Sequence, residues 1–256
     1  MPLEKPIVEL IFVGYLREEV TIMETMPFPT TQSQVRVNEF IRSVYNWMAV
    51  GLGLTGLVAF YVASSPALVQ MVFGNQLVFF GLIIGELALV FALSARVQRM
   101  QASTATGLFL LYALLNGATI SFIFLAYTGT SVAQVFFICA GTFIACSIYG
   151  MTTKRDLTSL GGFVTMGLIG IIIASVVNIF VRSSSMGMII SYIGVIVFVG
   201  LTAYDTQRLK IMALQQPDGA GEGVARNAAI LGALALYLDF INLFLMLLRI
   251  FGSRRE

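Results

Sequence analysis

Two acidic residues interrupt apolar runs late in the chain: Asp205 in GVIVFVGLTAYD and Asp239 in LGALALYLDFINLFLMLL. A carboxylate facing lipid costs roughly 2.5–3.5 kcal/mol on insertion scales, so such residues face a protein interior or a water path. Asp205 carries Thr202 at i−3 and Arg208 at i+3 on its helical face. Asp239, Asn242, Met246 and Arg249 recur at helical spacing, and Ala235 and Gly232 continue that face with small side chains. A polar stripe bordered by small residues suits the axis of a bundle. Both acids fall in the inner third of the membrane, where consecutive helices can set them side by side. Like-charge repulsion and loss of water both oppose ionising two adjacent carboxyls, so the pair shares a proton. Losing that proton drives the helices apart or recruits a cation, which makes the pair a gate and a pH sensor. The plainer alternative is a hydrogen-bonded stripe that ties helices together.

Glu86, in GLIIGELALVFALSA, lies in the middle of another apolar run. A neutral Glu bonded to a neighbouring helix is one reading; a cation contact along an ion path that takes in Asn242 is the other. Oxygen ligands suit hard ions such as Ca²⁺, and acidic side chains favour cations in channels. Transient Ca²⁺ at Asp205, Asp239 and Glu86 is therefore expected, with no tightly bound metal. Arg96 ends the helix that carries Glu86, near the depth of Asp205, and is the candidate latch on the acidic pair; snorkelling to headgroups is its ordinary role. Asn116, Asn178 and Asn242 read as interhelical hydrogen bonders, worth about 1 kcal/mol each. Tyr204 and Tyr237 read as interface markers or hydrogen bonders.

Neither a nucleophile–base arrangement nor a phosphate-binding loop is present, so an enzyme is not expected, and neither is a cofactor. Gly51, Gly53 and Gly56 spell G-x-G-x-x-G, but without the preceding strand that gives the motif meaning. They read as helix-packing residues, as do Gly167 and Gly170, and Gly194 and Gly200.

Hydrophobic residues make up 58% of the 256 and charged ones 11%. Soluble domains average about 45–50% and about 25%, so the surface must face lipid. The chain is an all-α polytopic membrane protein. No basic cluster interleaves with aromatics, which leaves nucleic-acid binding unsupported. Cys139 and Cys146 sit in one apolar run; seven helical residues rise about 10.5 Å, beyond disulfide reach of about 7 Å. They read as packing residues. There is no histidine, which argues against a zinc site and leaves pH response near neutrality to displaced carboxyls, thiols or the amino terminus.

A crossing needs about 20 apolar residues. Seven spans satisfy this: Val44–Ala63, Leu77–Ala95, Ala105–Tyr127, Val132–Met151, Gly161–Val181, Gly187–Tyr204 and Ala228–Phe251. Residues 1–43 form a cytoplasmic, poorly ordered tail, 44–252 the membrane domain and 253–256 a short tail. The only long polar connection is Asp205–Asn227, which contains QQPDGAGEG. Lys5, Arg17, Arg36, Arg42, Arg96, Arg99, Lys154, Arg155, Arg208, Lys210 and Arg226 share one side, which the positive-inside rule makes cytoplasmic. Arg182, Arg249, Arg254 and Arg255 share the other, against that rule; a final segment that re-enters and returns is the alternative topology. The opening residues lack the features of a secretory signal, and Met23 or Met26 is an alternative start.

The stretches Tyr192–Lys210 (YIGVIVFVGLTAYDTQRLK), Leu231–Gly252 (LGALALYLDFINLFLMLLRIFG) and Tyr149–Leu157 (YGMTTKRDL) resemble the bacterial branch of the Bax inhibitor-1 family. The likeness runs from about Val35 to Arg255. It implies a seven-helix bundle with the last helix central, in the bacterial inner membrane. It also implies a pH-sensitive Ca²⁺ leak gated by a di-aspartyl pair, here Asp205 of Tyr204-Asp205 and Asp239 of Tyr237-Leu238-Asp239. Glu86 would be the family's second-helix acid. The family's latching arginine has no clear register; Arg96, in Arg96-Val97-Gln98-Arg99, is the nearest match. Some relatives are linked to regulation of membrane proteases, so a modulator that binds a membrane protease or another membrane partner is the alternative.

Overall fold

Away from water a backbone must satisfy its own hydrogen bonds, so long apolar stretches become helices. The computed structural model describes residues 31–215 and 221–255. Among them the helices are α1 (Thr31–Ser64), α2 (Pro66–Phe73), α3 (Gln76–Arg96), α4 (Ala102–Ile120), α5 (Phe122–Ala126), α6 (Gly129–Thr152), α7 (Thr158–Val181), α8 (Ser184–Gln215) and α9 (Glu222–Phe251). A 3₁₀ turn, Val97–Arg99, follows α3. Seven segments are long and apolar enough to cross a membrane, and each coincides with one of the expected spans.

The breaks between helices have local causes. Pro66 occupies the first turn of α2, where its missing N–H is no loss. Asn75 caps α3 by accepting from Leu77 N at 2.9 Å, and Thr128 caps α6 by accepting from Ser131 N at 3.3 Å. Between α7 and α8, Arg182 takes a left-handed conformation with φ 54° while Asn178 Oδ1 accepts from Ser183 N at 3.1 Å. Asn178 thus caps its own turn and does not bridge helices as expected.

Two boundaries differ from the expected ones. The helix of the first span begins at Thr31, so residues 31–43 are not a poorly ordered tail; residues 1–30 lie outside the described part. Val37, Phe40, Ile41 and Val44 are all buried, and their spacing puts them on one helical face that packs into the bundle. Likewise α8 runs past Tyr204 to Gln215, because Leu209 and Ala213 continue its buried face. Asp205 is therefore an interior residue of a helix, not its end.

The last helix is central, as expected. Two-thirds of its apolar window (67%) is buried, against 6% for the α3 span and 11% for α7. It packs against α8, α1, α6 and α4. Phe136 and Phe143 of α6 meet Phe240 of α9 edge-on at 5.5 and 5.4 Å. Peripheral side chains such as Phe163, Ile179 and Phe180 remain exposed, as suits lipid contact.

Close approach relies on particular glycines. A Cβ on Gly51 would lie 2.7 Å from Phe109 Cζ, on Gly167 2.8 Å from Val197, and on Gly200 2.6 Å from Val164. On Gly150 it would strike the Ala203 carbonyl, which cannot swing away as a side chain could. Gly53, Gly56 and Gly170 have nothing within 4 Å and are not packing residues, contrary to expectation. Gly150→Ala should therefore cost about 1–3 kcal/mol through overpacking, whereas Gly53→Ala should be neutral or slightly stabilising. Melting curves of both variants in detergent, followed by the fluorescence of Trp47, check this ranking.

Candidate functional site

α8 and α9 run antiparallel, and small residues set how closely they approach. A Cβ on Gly232 of α9 would lie 2.6 Å from Leu209 of α8. Further along, a Cβ on Gly194 would lie 3.0 Å from Met246 Cγ, and Gly187 lies beneath the Arg249 guanidinium. This register sets Asp205 opposite Asp239, and the two carboxyls are within hydrogen-bonding reach of each other. Asp239 is 5% exposed, and its Oδ2 is buried without an N–H or hydroxyl donor. The neighbouring Thr202 hydroxyl is committed to Phe198 O, at 2.7 Å on its own helix. Asp239 Oδ2 thus has no donor among the described residues, and the Asp205 carboxyl is the polar group beside it.

Asp205 faces a cavity of about 290 Å³ walled by Ser94, Arg208, Leu231, Ala235 and Leu238, among others. The cavity lies between α3, α8 and α9 and extends toward the end of the bundle where α8 finishes and α9 begins. In the opposite direction the Gly194–Met246 and Gly187–Arg249 contacts close the α8–α9 seam. The buried Asp239 thus sits behind a carboxyl that has one-sided access.

Arg96, the expected latch, is not brought to the Asp205 cavity. It is exposed and absent from the cavity wall, whereas Arg208 lines the wall and exerts its charge on Asp205. The helical i+3 spacing places Arg208 on the Asp205 face, while Arg96 is exposed between buried Leu93 and Val97. Asn242, expected to bond a neighbouring helix, instead donates from Nδ2 to Leu238 O of its own helix at 2.8 Å.

Glu86 belongs to a second polar cluster. Its carboxyl accepts from Thr119 Oγ1 at 2.7 Å and Asn116 Nδ2 at 3.2 Å, both on α4. Tyr237 of α9 donates to Asn116 Oδ1 at 3.0 Å, and its hydroxyl lies 2.7 Å from that of Thr55, which reaches Ala113 O at 2.8 Å. Two hydroxyl protons serve these three contacts, so they cannot all be donated at once. The cluster ties α3, α4, α9 and α1 together. It does not join the aspartate pair: among the described residues, no three acidic or cysteine side chains gather closely enough to hold a metal ion. Cys139 and Cys146 are both free thiols.

Three polar residues near the cavity end carry structural roles that the sequence reading missed. Gln207 accepts from Leu157 N at 2.8 Å and donates to Arg155 O at 2.8 Å, bracing the α6–α7 connection. Lys210 donates to Met151 O at 2.7 Å. Asn227 donates to Val97 O at 2.9 Å and Met100 O at 2.8 Å, pinning the 3₁₀ turn to α9. Ending the helix at Tyr204 hid the first two, although Gln207 and Lys210 sit at helical spacing.

Comparison with known proteins adds to this geometry. A family described as inhibitor of apoptosis-promoting Bax1 matches residues 37–256. The chain is 52% identical to the inner membrane protein YbhL of Escherichia coli K12 over 232 residues, 89% of this chain and 99% of that one. It is 43% identical to an uncharacterized protein of Rickettsia prowazekii over 238 residues, covering 91% and 98% of the two chains. An uncharacterized protein of Borreliella burgdorferi is also 43% identical, over 219 residues, covering 86% and 94%.

The Tyr237 cluster predicts a measurable coupling. Thr55→Val and Tyr237→Phe should each lower the melting temperature in detergent. A double-mutant cycle should return about 1 kcal/mol of interaction, the scale of interhelical hydrogen bonds in membranes.

Proposed function

Since this chain belongs to the Bax inhibitor-1 family, we propose that it is a passive, pH-sensitive cation leak of a bacterial inner membrane. Asp205 and Asp239 form its gate. The observation that carries this reading is the meeting of the two carboxyls, one facing a cavity and the other sealed behind it. With a proton between them, the pair ties α8 to α9 and the seam stays shut. Without it, two negative charges repel across a contact with little solvent to screen them. The helices then separate, or a cation takes the proton's place. A site of carboxylate oxygens suits a hard cation such as Ca²⁺.

Arg208 adds a second control. Its positive charge beside Asp205 stabilises the ionised pair, and at the cavity wall it discourages cation entry until the helices move. The excess of Arg and Lys at the cavity end, including Arg99, Lys154, Arg155 and Lys210, supports a cytoplasmic position for that end by the positive-inside rule. The pair would then sense cytoplasmic pH, and the N-terminal side of α1 would be cytoplasmic.

Low pH keeps the proton and the closed seam; rising pH removes it. Ca²⁺ flux into liposomes holding the purified protein should increase from pH 6 to pH 8. A single proton limits the response to about tenfold per pH unit. Asp239→Asn cannot form the doubly charged state and should give a flux that no longer follows pH. Absence of flux at every pH, or an unchanged pH response in Asp239→Asn, would overturn this reading. Recovery of a membrane protease with the purified protein would then favour a partner-binding role.

A further inference from the structure

The two ends of the bundle differ in charge. At the end that carries the α5–α6 and α7–α8 connections, the described charged residues are Arg182, Arg249, Arg254 and Arg255, with no carboxylate described among them. The residues after α9 are lashed to this end by main-chain hydrogen bonds. Thr128 N donates to Ser253 O at 3.0 Å, Arg255 N to Ala126 O at 3.0 Å, and Ser253 N to Ser131 Oγ at 2.8 Å. Tyr127 and Arg254 pair as an isolated antiparallel bridge. The backbone of Arg254 is thereby held in place, not left to wander with the chain end.

Arg249 approaches the same region from the last turn of α9, its guanidinium resting over Gly187. The two arginines share a cavity of about 270 Å³ whose apolar walls include Phe122, Ile123, Tyr127 and Leu245. Phe122 is 44% exposed on the outer surface, so the apolar wall continues onto the flank that faces lipid tails. Guanidiniums bind phosphate oxygens through paired N–H groups, and a free ion would make no use of apolar walls. The end of the spans is also where headgroup phosphates lie.

We infer that this cavity binds a membrane phospholipid, with Arg249 and Arg254 on the headgroup phosphate and the first part of an acyl chain against Phe122 and Leu245. The site is separate from the aspartate pair, in the last turn of α9 and the residues after it. It gives Arg249 and Arg254 a counter-charge supplied by the bilayer.

Native mass spectrometry of the full chain in detergent tests this, with phosphatidylglycerol as the probe. Diacylglycerol of the same chains and inorganic phosphate serve as the headless and tailless comparisons. Phosphatidylglycerol should be retained over both. Arg254→Gln should weaken retention about fivefold, the effect of one basic residue near an anionic headgroup, while Arg255→Gln, outside the cavity, should not. If Arg254→Gln disturbs folding, Arg254→Lys, which keeps the charge, should retain more lipid than Arg254→Gln. Equal retention of diacylglycerol, displacement of the lipid by inorganic phosphate, or unchanged retention in Arg254→Gln would each overturn the assignment.

Discussion

The carboxyl–carboxyl contact between α8 and α9 is the interaction around which the rest of the bundle is arranged. In water two acids have no reason to meet. Inside a bundle each must find a polar partner, and at Asp239, whose Oδ2 has no donor among the described residues, the Asp205 carboxyl is the polar neighbour. Glycines then become necessary on the same seam. Gly232 and Gly194 let the two backbones come close enough for side chains as short as aspartate to touch.

α9 serves two polar clusters at once. Asp239 faces α8, while Tyr237, two residues away and so on a different face, reaches Asn116 and Thr55. A helix with polar groups on separate faces cannot lie against lipid on either, which explains why the last span is the most enclosed. The Tyr237 cluster, with Glu86 as its outermost acceptor, holds α9 against α1, α3 and α4. The α8 seam is thus the side on which α9 carries an ionisable pair, and α3 and α7 at the periphery remain largely free of buried contacts.

Much of the candidate site was legible because helical periodicity carries azimuth along one helix. Arg208 could be placed beside Asp205, and Asn242 and Met246 on the Asp239 face, from spacing alone. Periodicity does not carry azimuth between helices. Position along a span says nothing about which neighbour a side chain faces, as Glu86 and Arg96 show. Glu86 turns to α4 and Arg96 to the surface. The continuation of α8 to Gln215 is hidden for a related reason: Leu209 lies between Arg208 and Lys210, and only the helices packed on it and on Ala213 show that the two form a buried face.

The amino-acid order by itself determined that the chain is a helical membrane protein, how many times it can cross, and which helices carry acids at which depth. These follow from local hydropathy and from the backbone's need to bond to itself. Partnership was decided only by the tertiary structure: that Glu86 bonds to α4 and stands apart from the aspartate pair, that Arg208 and not Arg96 lines the cavity beside Asp205, and that Ser253 and Arg255 fold back onto Thr128 and Ala126. Such choices depend on how closely neighbouring helices approach and how each is rotated about its own axis, which are set by side chains distant in sequence.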